Sequence, residues 1–346
     1  MQPIPRLVAL ATAVPAYPLD QDAVVERARH VFAGAAELDR LLPVFANSGI
    51  HRRYSSVPLD WFEEMHGWPE RNRRYLATAL DLLESATGRA LDRAGIPAGE
   101  IGGIVVVSTT GIATPSLDAL LIERMGLPAT VQRLPIFGLG CAGGVIGLAR
   151  AATIAASMPD KAVLFLVVEL CSLTFRGGDR AKSNIVAAAL FGDGAAAAVL
   201  RCGGAGPAVI ATGEHTWPHT LDIMGWEVTE DGLKPVFSRD IPRLVTERLG
   251  AVARDFLGSH GLALGDIGRF VCHPGGPKVV DAYEHAFGLG RGVLGDARAV
   301  LRDHGNMSAA SVLFVLERAL EGEWERALLT ALGPGFTAGF VVLSRG

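Results

Sequence analysis

Three residues in this chain have surroundings that suit chemistry: a cysteine, a histidine and an asparagine. Cys141 lies in FGLGCAGGVIGLARAATIAAS, where the glycines predict a tight turn and the Ala/Ile/Leu run after them predicts a helix. A thiol at such a junction faces free backbone N–H groups and the positive end of the helix dipole, which favours thiolate near neutral pH. The small neighbours Ala142, Gly143 and Gly144 leave room for a substrate. His273 follows the apolar run RFVC and opens into PGGP. A strand end entering a Pro/Gly loop is where α/β proteins present reactive groups. Asn306 lies in DHGNMSAASVLFVLERAL, just ahead of an amphipathic helical pattern; alone, an asparagine there is a cap or turn residue. As a set, the three suit carbon–carbon bond formation on thioesters. The thiolate takes an acyl group, while the histidine and asparagine N–H groups hold a thioester carbonyl oxygen and stabilise an enolate. That chemistry needs neither a metal nor a redox cofactor.

The remaining candidates have ordinary readings. Cys171, Cys202 and Cys272 read as small buried apolar residues. The other eight histidines read as satisfied polar residues, with His304, two residues from Asn306, the nearest rival to His273. The four cysteines show no CxxC and no Cys/His ligand spacing, so neither a disulfide framework nor a zinc site is expected, and a reducing cytoplasm fits.

The elements that must position these residues show an internal echo. AGIPAGEIGGIVVVSTTG from Ala94 is matched by HGLALGDIGRFVCHPGG from His260: in each, a Gly is followed six residues later by Ile-Gly and then an apolar strand. Ile101 precedes Cys141 by 40 residues, and Ile267 precedes Asn306 by 39. Cys141 precedes the apolar run at Ala162 by 21 residues, and Asn306 precedes the run at Ala327 by 21. Each half ends in a Gly-punctuated strand, FGDGAAAAVL or GPGFTAGFVVL. The period is too long for a solenoid. It predicts an α/β chain of two duplicated βαβ-type halves with mixed, helix-covered sheets, divided as 1–205 and 206–346. The spacings also predict that Cys141 and Asn306 occupy equivalent loop-to-helix junctions meeting at the centre. The first half carries one extra excursion, LCSLTFRGGDRAKSNIVAAAL.

Composition narrows the partners. The 346 residues are 49% hydrophobic and 20% charged, enough for a large core. Aromatics are only 7%, the net charge is −4, and no Lys/Arg block occurs, so nucleic acid is not an expected partner. The apolar run between Leu7 and Val14 is broken by Pro15 and reads as a first strand, not a leader. The run AVLFLVV stops at Glu169, too short to span a bilayer.

At these residues the sequence resembles the chalcone-synthase-like family, the type III polyketide synthases. The matching stretches are GCAGG around Cys141, LTFRG from Leu173, ALFGDGAAA from Ala189, HPGGPKVVD from His273, HGNMSAASVLF from His304 and GPGFT from Gly333. The resemblance implies a homodimeric thiolase fold with αβαβα layering, acting on free CoA thioesters. It implies that Cys141 is the nucleophile, with His273 and Asn306 as the oxyanion and decarboxylation site. Phe191 matches a gatekeeper phenylalanine; Thr109, Thr110 and Thr174 match cavity-lining positions; residues 333–337, with Gly335, match a loop beside the cyclisation pocket. The second gatekeeper position is altered: GLKPVF places Pro235 there, with Phe237 nearby. Of the family's basic cluster for CoA phosphates, Arg40 is the clear equivalent, while Pro43 and Asn47 replace the others. Arg52 and Arg53 are candidate substitutes, and Lys278 of the PGGPK segment is a further candidate. HTWPHTLDIMGWEVTEDGLKPVFSRDIP and TTGIATPSLD resemble the branch that makes alkylpyrones and alkylresorcinols from fatty acyl starters. Three rivals differ in class: a carrier-protein-dependent ketoacyl synthase of the fatty-acid-initiation type, a papain-like Cys–His–Asn hydrolase, and a non-catalytic acyl-CoA-binding relative.

Overall fold

A computed structural model describes residues 3–34 and 38–346. Its strands, in chain order, are β1 (Pro5–Ala13), β2 (Tyr17–Asp20), β3 (Arg52–Ser55), β4 (Ile101–Val107), β5 (Gln132–Ile136), β6 (Ala162–Leu170), β7 (Asp193–Cys202), β8 (Ala208–Thr216), β9 (Met224–Thr229), β10 (Gly232–Phe237), β11 (Arg269–Cys272), β12 (Arg326–Gly333) and β13 (Thr337–Ser344). Nine of them form one continuous arrangement in the order β11-β12-β13-β8-β1-β7-β6-β4-β5. The seam lies between β1 and β8, which pair only at Arg6 and Ala208.

On either side of that seam the order and sense repeat. β1 is antiparallel to β7, β7 to β6, and β6 is parallel to β4. Likewise β8 is antiparallel to β13, β13 to β12, and β12 is parallel to β11. The duplicated halves expected from the spacing are therefore present; the first sheet adds the edge strand β5. Residues 203–207, between β7 and β8, contain the 205/206 division.

Continuous apolar strands imply burial on both faces, and β6 is buried at all nine positions. Its Val163, Phe165 and Val167 face a central core, whereas Leu164, Leu166 and Val168 face an outer one. β7 divides in the same way, with Ala196 and Ala198 inward and Ala195 and Ala197 outward. A bulge at Val8 shifts β1 by one residue, so that Leu7 and Leu10 face inward while Ala9, Ala11 and Ala13 face outward. Helix Trp68–Ala94 covers the outer face of the first sheet. Helices Gly143–Ser157 and Ser311–Leu320 lie between the sheets and pack on strands of both. Helices Gly250–Ser259, Pro277–Ala286 and Gly295–His304 belong to the second half's side of the core. This is the αβαβα layering of a thiolase-type fold. The apolar stretch Gly140–Ser157 has the length and hydropathy of a membrane span, but it is 67% buried as a central helix.

Candidate active site

The two central helices begin alike. Cys141 is the middle residue of the 3-10 turn Gly140–Ala142, which runs into helix Gly143–Ser157. The 3-10 turn Ser308–Ala310 runs into helix Ser311–Leu320 in the same way. Counted from the helix start, the counterpart of Cys141 is Ala309, and Asn306 lies three residues upstream. The equal 21-residue spacings arise because the second helix has 10 residues where the first has 15. The strict equivalence of Cys141 and Asn306 read from spacing is thus offset, although both lie at the paired junctions.

Each junction is gripped by the Gly-punctuated segment of the opposite half. A Cβ on Gly192 would lie 2.3 Å from the carbonyl oxygen of His304, and one on Gly333 would lie 2.3 Å from that of Leu139. Only glycine allows such approaches. Asn306 is held further by a parallel bridge to Phe191. Its N–H donates to the Leu190 carbonyl at 2.8 Å, and the Gly192 N–H donates to the Asn306 carbonyl at 3.0 Å.

The three chemical residues are connected through short contacts. Cys141 Sγ lies 3.6 Å from Ser308 Oγ. The Ser308 N–H donates to Asn306 Oδ1 at 2.9 Å, and Asn306 Nδ2 donates to the Gly275 carbonyl at 3.2 Å. Gly275 follows His273 in the loop after β11, and a Cβ there would sit 3.5 Å from His273 Nε2. The His273 N–H donates to the Thr330 carbonyl of β12 at 3.0 Å. An asparagine amide carries two N–H groups, so Asn306 keeps one beyond its bond to Gly275. The buried His273 has both ring nitrogens without a protein partner, and burial pushes its pKa down to about 3. Burial thus favours the neutral ring, which donates a hydrogen bond from one nitrogen and accepts one at the other.

The thiol corrects the expectation from the helix end. Burial pushes Cys141 up to about 12, Glu169 reinforces the rise, and the hydrogen bond to Ser308 opposes it. Desolvation thus outweighs the favourable hydrogen bond, and the thiol needs help in losing its proton as it attacks.

Thr109 and Thr110 frame Glu169. The Thr109 N–H and the Thr110 hydroxyl donate to Glu169 Oε2 at 3.0 and 2.9 Å. Burial pushes this carboxyl up to about 7, against hydrogen bonds from Thr109, Thr110 and Ser308. Glu169 and Ser308 were not singled out by sequence reasoning. Glu169 had one signal, as the lone charge ending a fully apolar strand. Thr174 is buried and its hydroxyl donates to the Cys171 carbonyl at 2.7 Å. Phe191 meets Phe237 edge to face at 5.6 Å and Trp226 at 6.2 Å, and packs with Cys171 and Ala187. Phe237 is therefore the aromatic partner of Phe191, whereas Pro235 pairs across the hairpin with Trp226. Trp226 belongs to the same aromatic cluster. Gly335 has φ 73° and its carbonyl accepts from Thr220, in a turn whose Pro334 abuts Gly140.

The cationic candidates separate. Arg40, Arg52 and Lys278 are exposed on three different elements, and Arg52 pairs with Asp20 at 3.1 Å. Arg53 is 3% exposed, so it is not available to a phosphate in solvent. His304, the rival imidazole, is packed against Tyr54 and Phe314. Cys171 and Cys272 are buried, and Cys202 is partly so.

Comparison with known proteins bears on this arrangement. Residues 4–207 match the model for the N-terminal domain of chalcone and stilbene synthases, and residues 209–345 match that for the C-terminal domain. The chain is 41% identical to a 1,3,6,8-tetrahydroxynaphthalene synthase of Streptomyces peucetius, over 97% of this chain and 92% of that protein. It is 28% identical to an alpha-pyrone synthesis polyketide synthase-like protein of Mycobacterium tuberculosis, over 95% and 88%. The crystal structure of 1,3,6,8-tetrahydroxynaphthalene synthase from Streptomyces coelicolor A3(2), a bacterial type III polyketide synthase, superposes with a TM-score of 0.94 at 31% identity, covering 98% of this chain and 99% of that one.

Proposed function

The chain belongs to the chalcone and stilbene synthase family, the type III polyketide synthases, and on that premise we propose that Cys141, His273 and Asn306 carry out its decarboxylative condensation of malonyl-CoA. The contact chain Cys141–Ser308–Asn306–Gly275, ending beside His273, carries this reading. Cys141 sulfur attacks the carbonyl of a starter acyl-CoA as its proton is relayed across the neutral His273 ring to the departing CoA sulfur, which leaves as the thiol. Malonyl-CoA next places its thioester oxygen against N–H groups of His273 and Asn306. Loss of CO₂ leaves the electron pair as an enolate on that oxygen. The enolate carbon attacks the Cys141 thioester, and the Cys141 thiolate leaves. The product is an acyl-CoA longer by two carbons, ready for another cycle. The test is Cys141→Ala with acyl-CoA and radiolabelled malonyl-CoA: new carbon–carbon bonds should vanish, and their persistence would refute the assignment.

The starter we infer is a fatty acyl-CoA, and the product an alkylpyrone or alkylresorcinol. A cavity lined largely by apolar residues, including Val24, Phe32, Phe62 and Ala187, borders Cys171, Thr174 and Phe191, and its apolar lining supports this reading. The higher identity to a tetrahydroxynaphthalene synthase favours a second reading, a product without an alkyl chain. Mass spectrometry across a chain-length series of acyl-CoAs separates the two: products that grow with the starter support the first, and a product made from malonyl-CoA alone supports the second.

We also read Arg40, Arg52 and Lys278 as the seat of the CoA phosphates, residues 1–205 and 206–346 as two domains, and the cytoplasm as the location that keeps the four free cysteines reduced. The unit is a homodimer. The open edge strand β5 lies beside the exposed Ile112 and Phe137, a surface suited to cover by a second copy. Sedimentation equilibrium at the monomer mass would exclude it.

A further inference from the structure

Arg53 is the basic residue that the structure removes from the solvent-facing cluster. Its guanidinium makes two specific bonds: Nη1 donates to the Phe191 carbonyl at 2.9 Å, and Nη2 donates to Gln21 Oε1 at 2.6 Å. Gln21 is also buried, and its Nε2 lies 3.1 Å from the carbonyls of Phe45 and Ala189 and from Ser48 Oγ. These acceptors include the last carbonyls of helix Lys182–Leu190, groups that no bond inside the helix satisfies. A cation there also meets the negative end of the helix dipole.

The stem of Arg53 completes the brace. A Cβ on Gly192 would lie 3.2 Å from Arg53 Cβ, and one on Gly305 would lie 3.4 Å from it. Arg53 thus packs on both strands of the bridge that joins residues 190–192 to Asn306. Neighbouring contacts run the same way: the His51 N–H donates to the Arg302 carbonyl at 2.8 Å, and Tyr54 stacks on His304 at 5.5 Å. The Cys141 turn is held by other residues: the Gly140 N–H donates to Thr109 Oγ1 at 3.2 Å, and Gly333 and Pro334 press on the turn.

We propose that Arg53, supported by Gln21, is a positioning residue for the decarboxylation half of the site: it fixes the Phe191–Gly192 backbone and through it the carboxamide of Asn306. Arg53 touches neither substrate nor reacting atoms; it acts through Asn306. The proposal rests on the reading of Asn306 as an enolate-holding group. It predicts a split between two half-reactions, because the brace holds Asn306 directly and reaches Cys141 only at second hand, through Ser308.

The experiment measures both half-reactions in Arg53→Gln, Arg53→Lys and Gln21→Ala: acyl transfer from radiolabelled acyl-CoA to Cys141, and CO₂ release from malonyl-CoA. Small misplacement of a catalytic group costs up to ~10²-fold, so Arg53→Gln should lose about that much decarboxylation while acylation stays within about twofold. Arg53→Lys, which keeps the charge but cannot reach both acceptors with one planar fork, should fall in between, and Gln21→Ala should show the smallest loss. Unchanged decarboxylation would overturn the proposal, as would a parallel fall in both half-reactions with thermal stability, the mark of a purely structural residue. If Arg53→Gln does not fold, the split in Arg53→Lys and Gln21→Ala decides. Asn306→Ala is the control: rapid decarboxylation there would overturn the role of Asn306 itself, and with it the premise of the brace.

Discussion

The two halves share strand order and strand sense but join their last antiparallel strands differently. In the second half, β12 reaches β13 through residues 334–336 alone. In the first, the path from β6 to β7 runs through residues 171–192, with a 3-10 turn, helix Lys182–Leu190, and the residues Cys171, Thr174 and Phe191. The tight connection leaves Gly333 pressed on the Cys141 turn; the long one both presses Gly192 on the Asn306 junction and walls a cavity. The repeated skeleton thus brings two helix starts together, and the unrepeated excursion walls an apolar cavity. The chemistry is divided in the same way, with a thiol on the turn of one junction and a carboxamide held sideways by a bridge at the other.

Substituting the two junction residues is the strongest way to break this comparison. Cys141→Ala should abolish acyl transfer to the protein. Asn306→Ala should leave that transfer intact and lower condensation by ~10²–10³-fold, the usual cost of removing one oxyanion donor. Stopped acylation assays beside product formation separate the two. Equal loss of acylation in both variants would mean that the junctions do not divide the work.

The glycine grips give a smaller effect. Gly192→Ala and Gly333→Ala each place a Cβ 2.3 Å from a backbone carbonyl oxygen that cannot swing away. Each should cost about 1–3 kcal/mol by overpacking, read as a lowered denaturation midpoint. The functional losses should differ: Gly192→Ala should weaken decarboxylation by displacing Asn306, and Gly333→Ala should weaken acylation by displacing Cys141.

A further difference is a pH dependence. Glu169 has its carboxyl raised from the ordinary 4.5 to about 7, chiefly by burial. Between those values the folded chain holds a proton that the unfolded chain has released, so stability falls as pH rises through that window. Glu169→Gln should flatten stability between pH 4.5 and 7, measured by urea denaturation at several pH values. An unchanged slope would show that Glu169 is ionised throughout.

Much of the site was legible because it lies in local patterns. Glycines before an Ala-rich run mark a turn entering a helix, and the structure places Cys141 there. A strand ending in HPGG places His273 in a loop beyond β11. Other features depend on what comes from far along the chain. The spacing made Cys141 and Asn306 equivalent; two central helices of different length offset them by three residues. Arg53 reads like Arg52 in sequence, since both are cations in HRRY, yet the alternation of β3 turns one outward to Asp20 and the other inward to Phe191. Trp226 meets Phe191 only because its hairpin folds over helix Lys182–Leu190.

By itself the sequence determined the duplicated α/β plan and the family, and it picked out Cys141, His273 and Asn306 as the candidates for chemistry, because periodicity, turn composition and motif order are properties of neighbouring residues. Tertiary structure alone decided the state of those residues. Burial among distant elements pushes the Cys141 thiol up and the His273 imidazole down, and it takes Arg53 out of reach of solvent. The physical reason is that desolvation and hydrogen-bond partnership are set by what packs against a group, and those neighbours lie from one to a few hundred residues away in the chain.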